Sequence, residues 1–291
     1  MSLPPEILKK VKLLELNTRK LVNNLFAGEY QTVFKGQGMT FADFREYIPG
    51  DDIRSIAWPL TAKTGKPYIK KFDEERELTV IIAVDISGSC EFGTGEHLKG
   101  EVINFLAALL SFSAAKNKDH VGLLLFSNQV EHFVPPRKGP GQIHRILRDL
   151  FYFKSLHKET SIASAMEFLQ GVLKKRSTIF VFSDFLDEGF DGALRRIGQK
   201  HETVAVVVND PMEFDIPDIG LVSLEDAETG EIVTVDSSSG QFRKAYRSYR
   251  TSQKNKRDDM LLKSRVERIE VDSTSDYVQP LIGFFRQRRS R

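Results

Sequence analysis

Thr79-Val80-Ile81-Ile82-Ala83-Val84-Asp85-Ile86-Ser87-Gly88-Ser89 is the stretch that decides the fold of this chain. Its first six residues form an unbroken, largely β-branched apolar run, which predicts a strand buried on both faces. Asp85, Ser87 and Ser89 follow on a tight turn, so a carboxylate and two hydroxyls gather where that strand ends. Open α/β sheets build their sites at the carboxyl ends of strands. An all-oxygen donor set suits a hard cation, Mg²⁺ first, with Mn²⁺ or Ca²⁺ as alternatives. Alone, Asp-x-Ser-x-Ser also fits a plain polar turn, so it needs support from elsewhere in the chain.

Three further apolar runs, residues 121–126, 178–182 and 203–208, read as strands of the same sheet. Each is followed by polar residues: Ser127-Asn128, Ser183-Asp184 and Asn209-Asp210. Helical patterns separate them. Residues 96–115 are apolar nearly all round, which predicts a central, buried helix. Ile143, Ile146, Leu147 and Leu150 share one face of a second helix. Ile162, Ala165, Met166, Leu169 and Leu173 share a face of a third, which ends in Lys174-Lys175-Arg176 at the negative end of its dipole. This alternation predicts an α/β fold with a doubly wound, mostly parallel sheet flanked by helices. Thr160 and Ser161 stand at the start of the third helix, where either could be an N-cap. Asp184 reads equally as an acidic loop residue or as a cap of the helix near Gly189.

Taken in order, Asp85-x-Ser87-x-Ser89, then Thr160 in Glu159-Thr160-Ser161-Ile162-Ala163, then Asp184 in Val181-Phe182-Ser183-Asp184 resemble the metal-ion-dependent adhesion site of von Willebrand factor A domains. The resemblance covers about residues 78–210. It implies that Asp85, Ser87, Ser89, Thr160 and Asp184 form one metal site fed by three loops. The hydroxyls would donate to Mg²⁺, and the two acids would mostly hold waters or hydroxyls beside it. A position left open on the ion would take an acidic side chain from another protein. The resemblance also implies a binding module and not an enzyme.

Upstream, Phe44-Arg45-Glu46-Tyr47-Ile48-Pro49-Gly50-Asp51-Asp52-Ile53-Arg54-Ser55-Ile56-Ala57-Trp58 is similar to the signature of DUF58 proteins. The similarity continues through residues 68–76 and reaches Asp210-Pro211-Met212-Glu213-Phe214. Cys90 stands where that family commonly has Met, and Ala57 where it commonly has Asp. Membership implies an N-terminal β-containing extension before an A-type domain. It also implies a MoxR-type AAA+ ATPase as partner, in chaperone-like assembly or activation of a client protein in the bacterial cytoplasm. The expected division is residues 1–77, a helix and a small β-containing segment; 78–210, the metal-binding domain; and 211–291, a hairpin and a basic helical segment.

Other readings compete. Mg²⁺ beside an aspartate also serves phosphohydrolases, but the haloacid-dehalogenase pattern needs a second Asp where this chain has Ser87. Thr64-Gly65-Lys66-Pro67 lacks the earlier glycine of a phosphate loop. The six histidines show no metal spacing, and one cysteine forms neither a zinc cluster nor an internal disulfide. Arg243, Lys244, Arg247, Arg250, Lys254, Lys256, Arg257, Lys263, Arg265 and Arg268 make the C-terminal segment basic, opposed only by Asp258, Asp259 and Glu267. A solvated helix face is the plain reading, and attraction to nucleic acid or an acidic membrane surface the functional one. The formal net charge of +2 disfavours nucleic acid.

No apolar stretch is long enough to span a bilayer. The N-terminus, with Glu6, Lys9, Lys10 and Lys12 between short apolar steps, reads as an amphipathic helix over residues 5–26 and not as a signal peptide. Pro49-Gly50-Asp51-Asp52 reads as a turn whose acids pair with Arg45, Arg54 or Arg76. Trp58 is expected to anchor the core of the N-terminal segment.

Overall fold

Two hydrophobic patterns produce two units in the computed structural model, which describes residues 38–75 and 78–289. The expected helix over residues 5–26 and the expected partner Arg76 lie outside the described residues.

The smaller unit spans residues 34–78. Its strands β1 (Gly38–Glu46) and β2 (Tyr68–Glu75) pair antiparallel, with a register shift between Phe41 and Asp43. Between them lie a 3₁₀ turn (Ile53–Ser55) and helix α1 (Trp58–Thr64), which ends at Gly65 in the left-handed region. Arg45 grips Asp51 with two hydrogen bonds of 2.8 and 2.7 Å, and the Asp52 carboxylate accepts from the Arg54 backbone N–H. Ala57 is buried and precedes α1 without a side-chain cap, so an acid there in relatives has a plain structural use. Trp58 corrects the expectation of a core anchor: it is 64% exposed. It begins the first turn of a seven-residue helix, directly before Pro59, in a unit whose single two-stranded ribbon encloses little interior.

The larger unit is built on six strands. They are β3 (Thr79–Asp85), β4 (His120–Phe126), β5 (Val130–Arg137), β6 (Thr178–Ser183), β7 (Glu202–Asn209) and, after the hairpin β8 (Leu221–Glu225) and β9 (Ile232–Asp236), β10 (Glu267–Asp272). The sheet order is β10-β7-β6-β3-β4-β5, parallel except at the β4–β5 edge. The expected α/β class, a mostly parallel sheet between helices, is what the chain adopts. β3, β4, β6 and β7 are buried along almost their whole length, as continuous apolar runs require.

The helices are α2 (Lys99–Lys116), α3 (Pro140–Tyr152), α4 (Ile162–Val172), α5 (Asp191–Lys200), α6 (Gly240–Lys263) and α7 (Gln279–Arg289). α2 is buried on nearly every side, and its two interior serines donate back to Ala107 and Leu109 carbonyls, so the polar atoms are satisfied. α4 and α5 close a second core with Ile81, Ala83, Leu124, Val181 and Ala205 from the sheet. Among the described residues no helix is long and apolar enough to cross a membrane.

Candidate metal centre

Strand order reverses at β3: the chain runs from β3 to β4 on one side, then returns to place β6 on the other. Such a switch point opens a crevice at the carboxyl ends of the strands. Asp85 closes β3, and Ser183-Asp184 leave β6 beside it.

Asp85 is 1% exposed. Its Oδ1 accepts from the Ser87 backbone N–H at 3.0 Å and its Oδ2 from the Ser183 hydroxyl at 2.7 Å. Burial pushes this carboxyl up to about 7; the nearby Asp184 adds to the rise, and the Ser87 and Ser183 hydrogen bonds oppose it. Neither hydrogen-bond partner is a cation. The hydroxyls of Ser87 and Ser89 lie 3.2 Å apart on the 3₁₀ turn over Gly88–Glu91. Cys90 is buried, and its thiol donates to the Asp85 carbonyl.

Backbone bonds tie the second loop to the first and to the end of β4. Gly88 N–H donates to Lys158 O at 2.8 Å, and Ser161 N–H donates to Ser127 O at 2.8 Å. Ser161 caps α4, its hydroxyl accepting from the Ser164 N–H. Thr160 is thereby free of the capping task. Its hydroxyl donates instead to Glu228 Oε1 at 2.7 Å, a residue of the turn between β8 and β9.

Asp184 is neither a plain loop acid nor a helix cap. It is 7% exposed, with Oδ2 3.2 Å from Lys99 Nζ and Oδ1 accepting from the Leu186 N–H. Burial alone would raise this carboxyl, but Lys99, the Leu186 N–H and the Ser89 hydroxyl hold it below the usual carboxylate range. Lys99 also donates to Glu213 Oε1 at 2.6 Å. Burial alone would lower its ammonium; Asp184 and Glu213 outweigh that and raise it. A lysine in a first helical turn opposes the helix dipole. Lys99 is kept there by its two carboxylates, on the inner side of α2.

The Asp210-to-Phe214 stretch gains a role from this pair. The Asp210 side chain accepts from Thr94, Met212 and Ser273, and its N–H donates to Glu213 Oε2. Asp210 thus fixes the 3₁₀ turn that delivers Glu213 to Lys99. From α6, buried Arg257 donates to the Asp184 carbonyl at 3.2 Å and to Asn209 Oδ1 at 3.1 Å.

Most of α6 is solvated, as the plain reading expects, but its basic residues meet acids from outside their own segment. Arg243 meets Asp218, Arg247 meets Asp215, Lys254 meets Glu270 and Arg250 donates to the Glu213 carbonyl. Acids of the preceding loop and of β10 thus offset part of the positive charge.

Of the five expected residues, Asp85, Ser87 and Ser89 share one turn, Asp184 leaves β6 beside the end of β3, and Thr160 lies on the loop whose Lys158 carbonyl accepts from Gly88, its own hydroxyl bonded to Glu228. Among the described residues, no three His, Cys, Asp or Glu side chains form a metal-ligand group by themselves. Hydroxyls would have to supply the donors. The residues fit a hard cation: two buried carboxylates, one of them without a cationic hydrogen-bond partner, beside neutral oxygen donors. Lys99, Glu213 and Glu228 are the members that sequence reasoning missed.

The chain is similar to the uncharacterized protein Rv1480 of Mycobacterium tuberculosis, 29% identical over 231 residues that cover 78% of this chain and 73% of that protein. Among solved structures it is similar to the conserved hypothetical protein BatB from Bacteroides thetaiotaomicron, at TM-score 0.52 and 18% identity, covering 73% of this chain and 98% of that one. A weaker likeness, at TM-score 0.40 and 9% identity, is to the SpRpn10 VWA domain, covering 71% of this chain and 94% of that domain. The family described as "Protein of unknown function DUF58" matches residues 43–256, and this chain belongs to it.

Proposed function

We propose that this chain is a Mg²⁺-dependent protein-binding module that captures an acidic side chain of another protein at the carboxyl ends of β3 and β6. The observation that carries this reading is the buried Asp85 carboxylate, braced by Ser87 N–H and the Ser183 hydroxyl beside the paired hydroxyls of Ser87 and Ser89. Ser87, Ser89 and Thr160 would hold the ion directly, and Asp85 and Asp184 through hydroxyls or water. The bound ion supplies electrophilic attraction for a carboxylate. Lys99 neutralises Asp184, so that carboxylate quenches little of the attraction.

Phosphohydrolase chemistry is disfavoured by the same geometry. A nucleophilic aspartate must present a free oxygen to its substrate. Both oxygens of Asp85 are engaged and the residue is buried.

Within the DUF58 resemblance, the partner would be a MoxR-type AAA+ ATPase or its client, with this chain as the adaptor and the ATPase as the energy source, working in the cytoplasm. The test is a pull-down from lysate of the source organism with wild type and Asp85→Ala, each in Mg²⁺ and in EDTA. Capture by wild type in Mg²⁺ only supports the metal-gated module. Equal capture in all four conditions would overturn it.

A further inference from the structure

Glu228 has no place in the site anticipated from sequence, yet it reaches into it. The tip between β8 and β9 is tightly built. Asp226 Oδ1 accepts from the N–H groups of Glu228 and Thr229, Gly230 N–H donates to Asp226 O, and Gly230 takes the left-handed conformation. The strands behind the tip are exposed, with Leu221 and Ile232 at 76% and 64%. The tip itself is seated. Thr160 donates to Glu228, and a Cβ on Gly88 would lie 2.2 Å from the Ala227 carbonyl oxygen. Only a glycine between Ser87 and Ser89 lets the turn approach so closely.

Burial raises the Glu228 carboxyl above its ordinary value; Thr160 opposes the rise, and the negative charges of Asp184, Asp226 and Asp187 add to it. Among the described residues its one side-chain hydrogen-bond partner is the neutral Thr160 hydroxyl. A half-buried acid among like charges is unfavourable, and a cation joining them relieves that repulsion. A hydroxyl that donates to a carboxylate keeps both of its lone pairs. Thr160 can therefore donate to Glu228 and still offer an oxygen to an ion.

We propose that Glu228 is this chain's own acidic occupant of the metal site, seated where the partner's carboxylate would bind, so that the β8–β9 hairpin lifts before an outside acid is captured. This rests on the reading of the site as a metal centre. The hairpin is suited to moving, because among the described residues its strands pair only with each other and most of their apolar side chains, Leu221, Leu224, Ile232 and Val233, are already exposed.

The test uses Mn²⁺ as the probe on the full chain, with wild type, Glu228→Gln, Glu228→Ala and Asp85→Ala compared by binding titration and by water-proton relaxation. Both Glu228 variants should bind Mn²⁺ about tenfold or more weakly. Each bound ion should then carry an added exchangeable water, seen as higher relaxivity per ion. Asp85→Ala should bind far more weakly still. Glu228 variants that match wild type in affinity and relaxivity, while Asp85→Ala loses binding, would overturn the internal ligand and leave the metal centre standing. Wild-type affinity in Asp85→Ala would overturn the metal centre itself. Glu228 lies on a hairpin tip outside the hydrophobic core, so its variants keep the fold, which circular dichroism verifies.

Discussion

The two ends of the six-stranded sheet bury polar groups for opposite purposes. At the amino end, His201 accepts from the Ser177 N–H through Nδ1, Ser177 donates to the Lys175 carbonyl, and Lys200 donates to the Leu173 carbonyl. These groups finish helix ends and loop backbones, and burial keeps His201 neutral by pushing it down to about 4, with Lys200 and Arg176 adding to the fall. At the carboxyl end, the ionisable groups of Asp85, Asp184, Asp210, Lys99 and Arg257 are buried. Burying charge is costly, and much of that arrangement would be dispensable if it only held backbone together. The contrast teaches where to look for function: Asp119 is buried at the amino end as well, but the carboxyl end gathers Asp85, Asp184 and Asp210, and the hydrogen-bond partners of Asp85 and Asp210 are all neutral.

The largest effect expected is at Lys99. Lys99→Met removes the cation between Asp184 and Glu213 and leaves both acids facing each other in the interior. Breaking a buried pair in this way costs about 3–5 kcal/mol. Urea unfolding should show that loss; a change near zero would mean that the two carboxylates are solvated and that the carboxyl end is no different in kind from the amino end.

Next comes the seat of the hairpin. Gly88→Ala puts a carbon against the Ala227 carbonyl, so either the tip lifts or the core strains by about 1–3 kcal/mol. Lifting is the expected outcome, because the strands behind the tip are exposed. Hydrogen exchange should then quicken at residues 221–236 and stay unchanged in β3 and β6. Quickening in β3 instead would show the hairpin to be the firmer element.

The smallest effect belongs to the amino end and appears only in acid. A histidine whose folded value is depressed contributes stability above its ordinary value of about 6.5, and that contribution is lost as pH falls toward 4. Between pH 7 and 5.5 wild type should lose about 1 kcal/mol more than His201→Asn, whose side-chain oxygen can still accept from Ser177. Parallel pH profiles for the two proteins would mean that His201 is protonated in place.

The sheet and the metal candidates were legible because each rests on a local signal. β3, β4, β6 and β7 are unbroken apolar runs, and Asp85, Ser87 and Ser89 sit on one turn. β5 was hidden by Pro135 and Pro136, which argue against a strand except at an edge, and β5 is the antiparallel edge. β10 was hidden by its alternating charges, which also suit an edge position. Lys99, Glu213 and Glu228 could not be read as partners, since their meaning depends on contacts 85 to 114 residues away for Lys99 and 68 for Glu228. The one clue to Glu213 was its place in Asp210-Pro211-Met212-Glu213-Phe214, which sequence similarity singled out without giving it work. Trp58 misled because its size suggested a core, while the small two-stranded unit leaves it in solvent. The acids that meet the basic helix could not be read as its partners because they come from other elements.

The central claim is that the carboxyl ends of β3 and β6 form a metal centre, and calorimetric titration of Mg²⁺ into wild type and Asp85→Ala tests it most directly. The account predicts one-site binding by wild type and loss of that binding in Asp85→Ala, whose circular dichroism stays that of the folded chain. Mg²⁺ binding of equal strength in both, or in neither, would contradict it.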